Sequence, residues 1–425
     1  MQILTADHVL PISSPPIHRG AVVIDGKVLV DVGEAAVLVA KFPSAEIKDY
    51  GEAAILPGFV NCHSHLEITA MRGALDEVED DFRTWLLRLN ELRSKMTHAD
   101  IAAAAVNGAT EGIRAGVTCF GDIGRFGRAG VEALRSAGLR GVVFQETEFS
   151  PDDRTAQKDF DALIDKFEEL RASGNELITV GLSPHSPYTV GPKLLGMIAE
   201  YAIDNKVKLS IHAAESSDET ALMNGGRSFF SEIYEKFGLE WKSPECSTIE
   251  YLARLGVLES KPLLAHCVTA SSADIRSIVA SGSAIAHCPK SNAKFGHGHA
   301  PFEEFLDAGV RVGLGSDSVA SNNVCDILEE SRFAALGARN RVGRNRFVTA
   351  KEVLNAATLG GAKALGLDHV IGTLEAGKRA DIAVVSLSNE AQKPVADIHA
   401  ALVFSSNARD VLATMVNGRI LHSAD

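Results

Sequence analysis

Two histidines one residue apart, His63 and His65, close the segment Pro57–Leu66, written PGFVNCHSHL. The run AAILPGFV before them reads as a buried strand ending at Asn61. Strand side chains alternate between faces, so both imidazoles point the same way and form half of a metal site. Further along, LSIHAAES places His212 at the end of an apolar run with Glu215 three positions later, and VGLGSDSVASNN ends another run at Asp317. Three imidazoles and one carboxylate from three strand ends suit a single zinc or iron ion with one position left for water. Any one of them alone is more often a buried structural histidine or a helix-capping aspartate. Their joint placement at strand ends favours a site.

Two more histidines fall at such ends, His266 in LLAHC and His185 in LSPHSPYTV. A metal-bound water, its pKa drawn toward about 7, needs a proton carrier and a group to orient it. Glu215 is placed to shuttle the proton, and His266 to hold the attacking hydroxide or the developing oxyanion. His185 reads equally well as a structural histidine between Pro184 and Pro187. A two-metal site would need a bridging group such as a carbamylated lysine at a middle strand end. The runs QETEF and SPHSP offer no lysine, so one metal is expected.

Positioning these residues requires strands that share one mouth. Apolar runs end near His63, Asp122, Glu146, His185, His212, His266, His287 and Asp317, and amphipathic or Ala-rich stretches such as DIAAAAVNGATEGIRAG and ADIRSIVASG separate them. Eight such repeats predict a (β/α)8 TIM barrel over residues 57–368, with its site at the C-terminal ends of the strands. The segments 1–56 and 369–425 carry short strands with tight turns at Asp25-Gly26 and Asn417-Gly418. They are expected to pair into one small β-sandwich domain. Two insertions, SSDETALMNGGRSFFSEIYEKFGLEWKSPECS and residues 73–98 with FRTWLLRLNELR, read as helical elements over the mouth.

The chain has 425 residues, 46% of them hydrophobic, enough for one large catalytic domain and a smaller one. A net charge of -13 points away from a nucleic-acid groove or an anionic membrane surface. No run approaches the roughly 20 apolar residues of a membrane span, and the first thirty residues lack the pattern of a secretory signal. Cys62, Cys119, Cys267, Cys288 and Cys325 lie in or just after strand-like runs without CxxC pairing, which reads as reduced core thiols and a cytoplasmic setting.

Taken together, HSH, HAAES, LLAHC and GSDSVASNN resemble the amidohydrolase superfamily, along almost the whole chain and including the split β domain closed by GTLEAGKRADIAVV. SPHSPYT, HCPKSN followed by Gly296, and APFEEFLDAGVRVGLGSDS are similar to the branch that deaminates adenine-bearing nucleosides, with its related chlorohydrolases. HSHLEIT, FRTWLLRLNELR, QETEF and HCPKSNAKFGHG lean toward the aminodeoxyfutalosine deaminases within it. The resemblance implies that His63, His65, His212 and Asp317 bind one divalent metal, Zn2+ before Fe2+. It implies that Glu215 protonates N1 of the adenine while hydroxide, oriented by His266 and Asp317, attacks C6 and ammonia leaves. His185 would contact the substrate, and Glu67, Arg72, Glu146 and Glu148 are the rim residues that could do so or could serve as salt-bridge partners. For Asn292 and Lys294 the alternative to a site role is a polar turn, and that reading is favoured for Lys294. The implied reaction is 6-amino-6-deoxyfutalosine to futalosine, a step toward menaquinone; S-adenosylhomocysteine, methylthioadenosine, adenosine and a chlorotriazine are the alternative substrates. A catalytically silent barrel used as a scaffold is the contrasting reading, and the complete ligand set argues against it. An isologous homodimer is the default expectation.

Overall fold

The computed structural model describes residues 1–225 and 227–424. Eight parallel strands carry the site: β1 (Phe59–Ser64), β2 (Val117–Gly124), β3 (Arg140–Glu146), β4 (Ile178–Ser183), β5 (Ser210–Ala213), β6 (Leu263–His266), β7 (Ala284–His287) and β8 (Arg311–Leu314). β1 to β4 form one parallel sheet and β5 to β8 a second. Single parallel bridges join their edges, Leu182 to Leu209 between β4 and β5, and Ser64 to Asp317 between β1 and the turn after β8. Nearly every residue of these strands is buried. They therefore read as continuous apolar runs, as strands covered on both faces do.

The helices between the strands carry local signals that agree with their fold. The helix His98–Arg114 starts at Thr97, whose hydroxyl accepts from the Asp100 backbone N–H while Asp100 reaches back to Thr97. It buries Ile101, Ala105, Gly108, Ala109 and Gly112, one stripe at helical spacing. A Cβ at Gly112 would lie 2.3 Å from the Phe120 ring of β2, so the glycine sets how closely this helix packs on the sheet.

Strands from the two chain ends pair in one continuous sheet. Ala53–Pro57 runs antiparallel to Ile382–Ser386, in register from Pro57 opposite Ile382 to Ala53 opposite Ser386. Gln2–Val9, Ile17–Asp25 and Val28–Glu34 extend it on one side and Val411–Val416 and Arg419–Ser423 on the other. Leu4, Val22 and Ile24 pack on one face, and Ile3, Ala21 and Val23 on the other against Leu38 of the helix Ala35–Lys41. The second face is thus covered by a helix, where the sandwich expectation has a second sheet. A buried ion pair, Arg140 Nε to Asp381 Oδ2 at 2.8 Å, ties this sheet to β3. Leu387, Leu402 and Val403, within the C-terminal segment assigned to the small domain, pack into the main core around the parallel strands.

Both insertions are helical. Residues 73–98 contain Phe82–Ser94, capped by Asp81, and the second insertion contains Ser217–Met223 and Phe229–Lys236.

Candidate active site

Six of the eight expected strand-end residues converge. His63, Glu146, His212 and His266 lie in the last residues of β1, β3, β5 and β6, while His185 and Asp317 follow β4 and β8 by two and three residues. Asp122 and His287 do not face the cavity. Asp122 accepts from the Leu66 N–H at 2.8 Å and the Ser64 hydroxyl at 3.2 Å, which fixes the turn after β1. The His287 ring stacks on Phe302 at 4.9 Å.

His63, His65 and His212 each offer a ring nitrogen within 4.8 Å of the others. Their protonation follows from their partners. His65 Nδ1 lies 3.1 Å from the Ile123 carbonyl and His212 Nδ1 lies 2.9 Å from the His185 carbonyl. A carbonyl accepts only, so both Nδ1 atoms carry the ring proton and both Nε2 atoms present lone pairs. Those lone pairs face each other at 3.3 Å. The His63 ring is fully buried, with no hydrogen-bond partner on either nitrogen. Burial lowers its pKa to about 4 despite the opposing pull of Asp317, leaving it neutral, the ligating form. Asp317 Oδ1 lies 3.4 Å from His63 Nε2 and 3.5 Å from His65 Nε2, while the Ser291 and Ser321 hydroxyls donate to its other oxygen at 2.6 and 2.9 Å. Carbonyls behind the imidazoles and hydroxyls behind the carboxylate are the outer partners that orient metal ligands. Facing lone pairs and an orphaned buried imidazole are costly without a cation between them. The donor set fits a divalent metal.

Glu215 sits beside this set, buried, with Oε2 accepting from the Tyr188 hydroxyl at 3.1 Å. Burial pushes its carboxyl up to about 7, partly offset by His212. Its Oε1 faces His266 Nε2 at 3.7 Å and His297 Nε2 at 4.0 Å. Behind it, Glu219 accepts the Ala214 and Glu215 N–H groups at 2.9 and 2.8 Å, holding a bend in which Ala214 takes φ +53°. His266 has φ +73° and Asp317 φ +56°, conformations that cost energy and cluster at functional sites. His266 Nδ1 lies 2.9 Å from Asn292 Oδ1, which leaves Nε2 as its free lone pair. Asn292 is thereby a support of the site, a role that reading it as a turn residue misses.

A cavity of about 360 Å³ opens over these groups. Its outer wall is aromatic, with Phe82, Trp85, Phe149, Phe229, Phe230, Phe237 and Phe295. Both insertions contribute, Phe82 and Trp85 from the first and Phe229 and Phe230 from the second. His185 and Glu146 line the cavity too. Of the other expected rim residues, Glu67 is buried beneath it, ion-paired with Arg93 at 2.6 Å and accepting the Arg125 and Phe126 N–H groups. Arg72 and Glu148 do not reach the cavity: Arg72 forks onto Glu111, and Glu148 pairs outward with Lys166 at 3.3 Å. Lys294 is tied to Asp76 and Glu79. Sequence reading missed Tyr188, Arg93, Arg125, Glu219 and His297. Tyr188 and His297 lie in the runs SPHSPYT and HCPKSNAKFGHG, but no spacing rule separates them from their neighbours.

Parallel strands that end in a convergent imidazole and carboxylate set, with a buried acid beside it, form the frame of a metal-dependent hydrolase. A model of the amidohydrolase family matches residues 54–421. The 5-methylthioadenosine/S-adenosylhomocysteine deaminase of Moorella thermoacetica is 34% identical over 414 residues, spanning 97% of this chain and 92% of that relative. The crystal structure of an adenosine deaminase from Xanthomonas campestris with bound zinc superposes with a TM-score of 0.85 at 25% identity, covering 99% of this chain and 92% of the other. That of Helicobacter pylori aminofutalosine deaminase in complex with methylthio-coformycin shares the fold, with a TM-score of 0.83 at 23% identity over 99% of this chain and all of the other, 100%. The chain belongs to the amidohydrolase family. It is an enzyme of that metal-dependent hydrolase class. Among the described residues, no helix is long and apolar enough to cross a membrane.

Proposed function

We propose that this enzyme hydrolytically deaminates an adenine-bearing nucleoside, converting the 6-amino group to a 6-oxo group with release of ammonia. One observation carries the reading: the facing lone pairs of His65 and His212, with Asp317 closing the set and the acid Glu215 alongside. The deaminase names of full-length relatives support the reaction class. The catalytic unit is read as a closed (β/α)8 barrel over 57–368, with the two edge bridges as its seams, and 1–56 with 369–425 as the small β domain.

His63, His65, His212 and Asp317 would hold one ion, zinc before iron. When bound, such an ion supplies an activated water as nucleophile. Glu215, which burial keeps protonated up to about neutral pH, donates its proton to N1 of the purine and makes C6 electrophilic. Tyr188 fixes the Glu215 carboxyl by its hydrogen bond, and Glu219 fixes the backbone that carries it. His266, held by Asn292, keeps an acceptor nitrogen on the reacting side, where with Asp317 it takes the proton the nucleophile gives up.

The aromatic outer wall fits a nucleoside with a flat aromatic substituent at the ribose 5' position. Aminodeoxyfutalosine, with its aromatic 5' arm, is therefore the preferred substrate, ahead of methylthioadenosine, S-adenosylhomocysteine and adenosine. A screen of adenine nucleosides differing at the 5' position, followed by loss of adenine absorbance, tests the reading. The highest kcat/KM on an acidic aromatic 5' arm supports it, and a higher value on a thioether moves the assignment to the methylthioadenosine type.

A further inference from the structure

Glu146 is a buried carboxylate with half of its hydrogen bonding unmade. Its Oε2 lies 3.3 Å from Arg125 Nε, and Arg93 Nη1 stands 4.0 Å away from the same oxygen. Its Oε1 is buried, has no hydrogen-bond partner and belongs to a side chain that lines the cavity. An ionised carboxylate is an acceptor only, so the missing partner must be a donor. His185 Nε2 lies 4.0 Å from that same Oε1, too far for a direct bond and the right span for one intervening oxygen. The Ser186 hydroxyl is 3.0 Å from His185 Nδ1; where it donates there, the ring proton sits on Nε2 and also points at the gap.

We propose that Glu146 and His185 form the subsite that recognises a sugar hydroxyl of the nucleoside, the hydroxyl donating to Glu146 Oε1 and accepting from His185 Nε2. This rests on the deaminase reading and names what that site must recognise. An adenine nucleoside has two kinds of hydrogen-bond donor, its 6-amino group and its sugar hydroxyls. The 6-amino group belongs at the reacting end, with Glu215 and His266 after β5 and on β6. Glu146 and His185 come from β3 and the turn after β4, on the other side of His212, whose ring lies 4.8 Å from His185 and 5.6 Å from His266. With C6 held at the ion and N1 at Glu215, the sugar is the part of the molecule left to face Glu146. Leaving a buried carboxylate oxygen without its donor is penalised far more than losing a contact at the surface, so this subsite discriminates between hydroxyl and hydrogen.

The test uses the zinc-loaded full chain with adenosine, 2'-deoxyadenosine, 3'-deoxyadenosine and 2',3'-dideoxyadenosine, and the same series with Glu146→Ala. Wild type is expected to lose about 10- to 100-fold in kcat/KM on at least one monodeoxy nucleoside, a hydrogen bond to a charged group being removed. Glu146→Ala is expected to lose a similar factor on adenosine and to treat that deoxy nucleoside and adenosine alike within about twofold. Equal turnover of adenosine and the dideoxy nucleoside by wild type overturns the proposal, whatever the variant does. So does retained discrimination in a folded Glu146→Ala, or a second bound zinc present in wild type and lost in the variant, which would make the pair a cation site. Failure to turn over any adenine nucleoside would instead remove the deaminase reading, and the subsite with it.

Discussion

His65, the residue after β1, and His212, in β5 of the second sheet, meet with their Nε2 atoms 3.3 Å apart, each holding its proton on the far nitrogen against a backbone carbonyl. Neither ring can donate to the other. The arrangement is stable when a cation accepts both lone pairs.

Removal of a ligand is therefore expected to act on metal content first. His212→Ala and Asp317→Ala should purify with far less than one equivalent of zinc, read by elemental analysis. Chelation of wild type should lower Tm, since a ligand at 100 times its Kd contributes about 2.7 kcal/mol to the folded state. An Asp317→Ala protein with full metal content would show that Asp317 acts only as a base.

The convergence of His63, His65, His212 and Asp317 was legible because they sit at or just after strand ends or in short fixed motifs, where little freedom is left. His63, His65, His212 and Asp317 needed no knowledge of the helices. The rim was not legible. Arg72 and Glu148 carry the charge of substrate-binding residues, but Arg72 lies on the side of the Glu111 helix and Glu148 turns outward to Lys166. Which way a loop side chain points depends on neighbours dozens of residues away. The pairing of Arg93 with Glu67, 26 positions apart, shows the same limit from the other side. Between the two chain ends, strand pairing was readable from the turns, whereas the single sheet depends on the helix Ala35–Lys41 covering one face, a choice that alternation alone does not encode.

Glu215 is expected to give kcat/KM a descending alkaline limb. Its carboxyl is pushed up to about 7 by burial, so it is a proton donor below that pH and spent above it. Glu215→Gln should keep its zinc and lose about 100- to 10,000-fold in kcat. Full activity in that variant with metal confirmed would take Glu215 out of the reaction.

Stability of the metal-free protein is expected to fall on the alkaline side of neutrality. Burial pushes Glu219 up to about 7, and Asp122 and Glu330 up to about 8. A carboxyl whose folded pKa is raised contributes fully below its ordinary range, and that contribution is lost as pH rises through the folded value. Denaturant titrations at pH 6 and pH 9 should show lower stability at pH 9, and equal values would contradict the burial of these groups.

The aromatic wall should select among 5' substituents without taking part in the chemistry. Trp85 meets Phe295 edge to face, ring centroids 4.8 Å apart, and lines the cavity. Trp85→Ala is expected to raise KM for a nucleoside with an aromatic 5' arm by about tenfold or more and to change kcat on adenosine little. Equal effects on both substrates would place Trp85 in general folding of the rim.

The most direct measurement is ammonia release from adenine nucleosides by chelated protein, before and after one equivalent of zinc is restored. The expected result is no turnover without metal, and on restoration one ammonia for each 6-amino group converted, with activity saturating at one zinc per chain. Equal turnover by the metal-free protein, or none by protein shown to hold its zinc, would contradict the assignment of this site as a metal-dependent nucleoside deaminase.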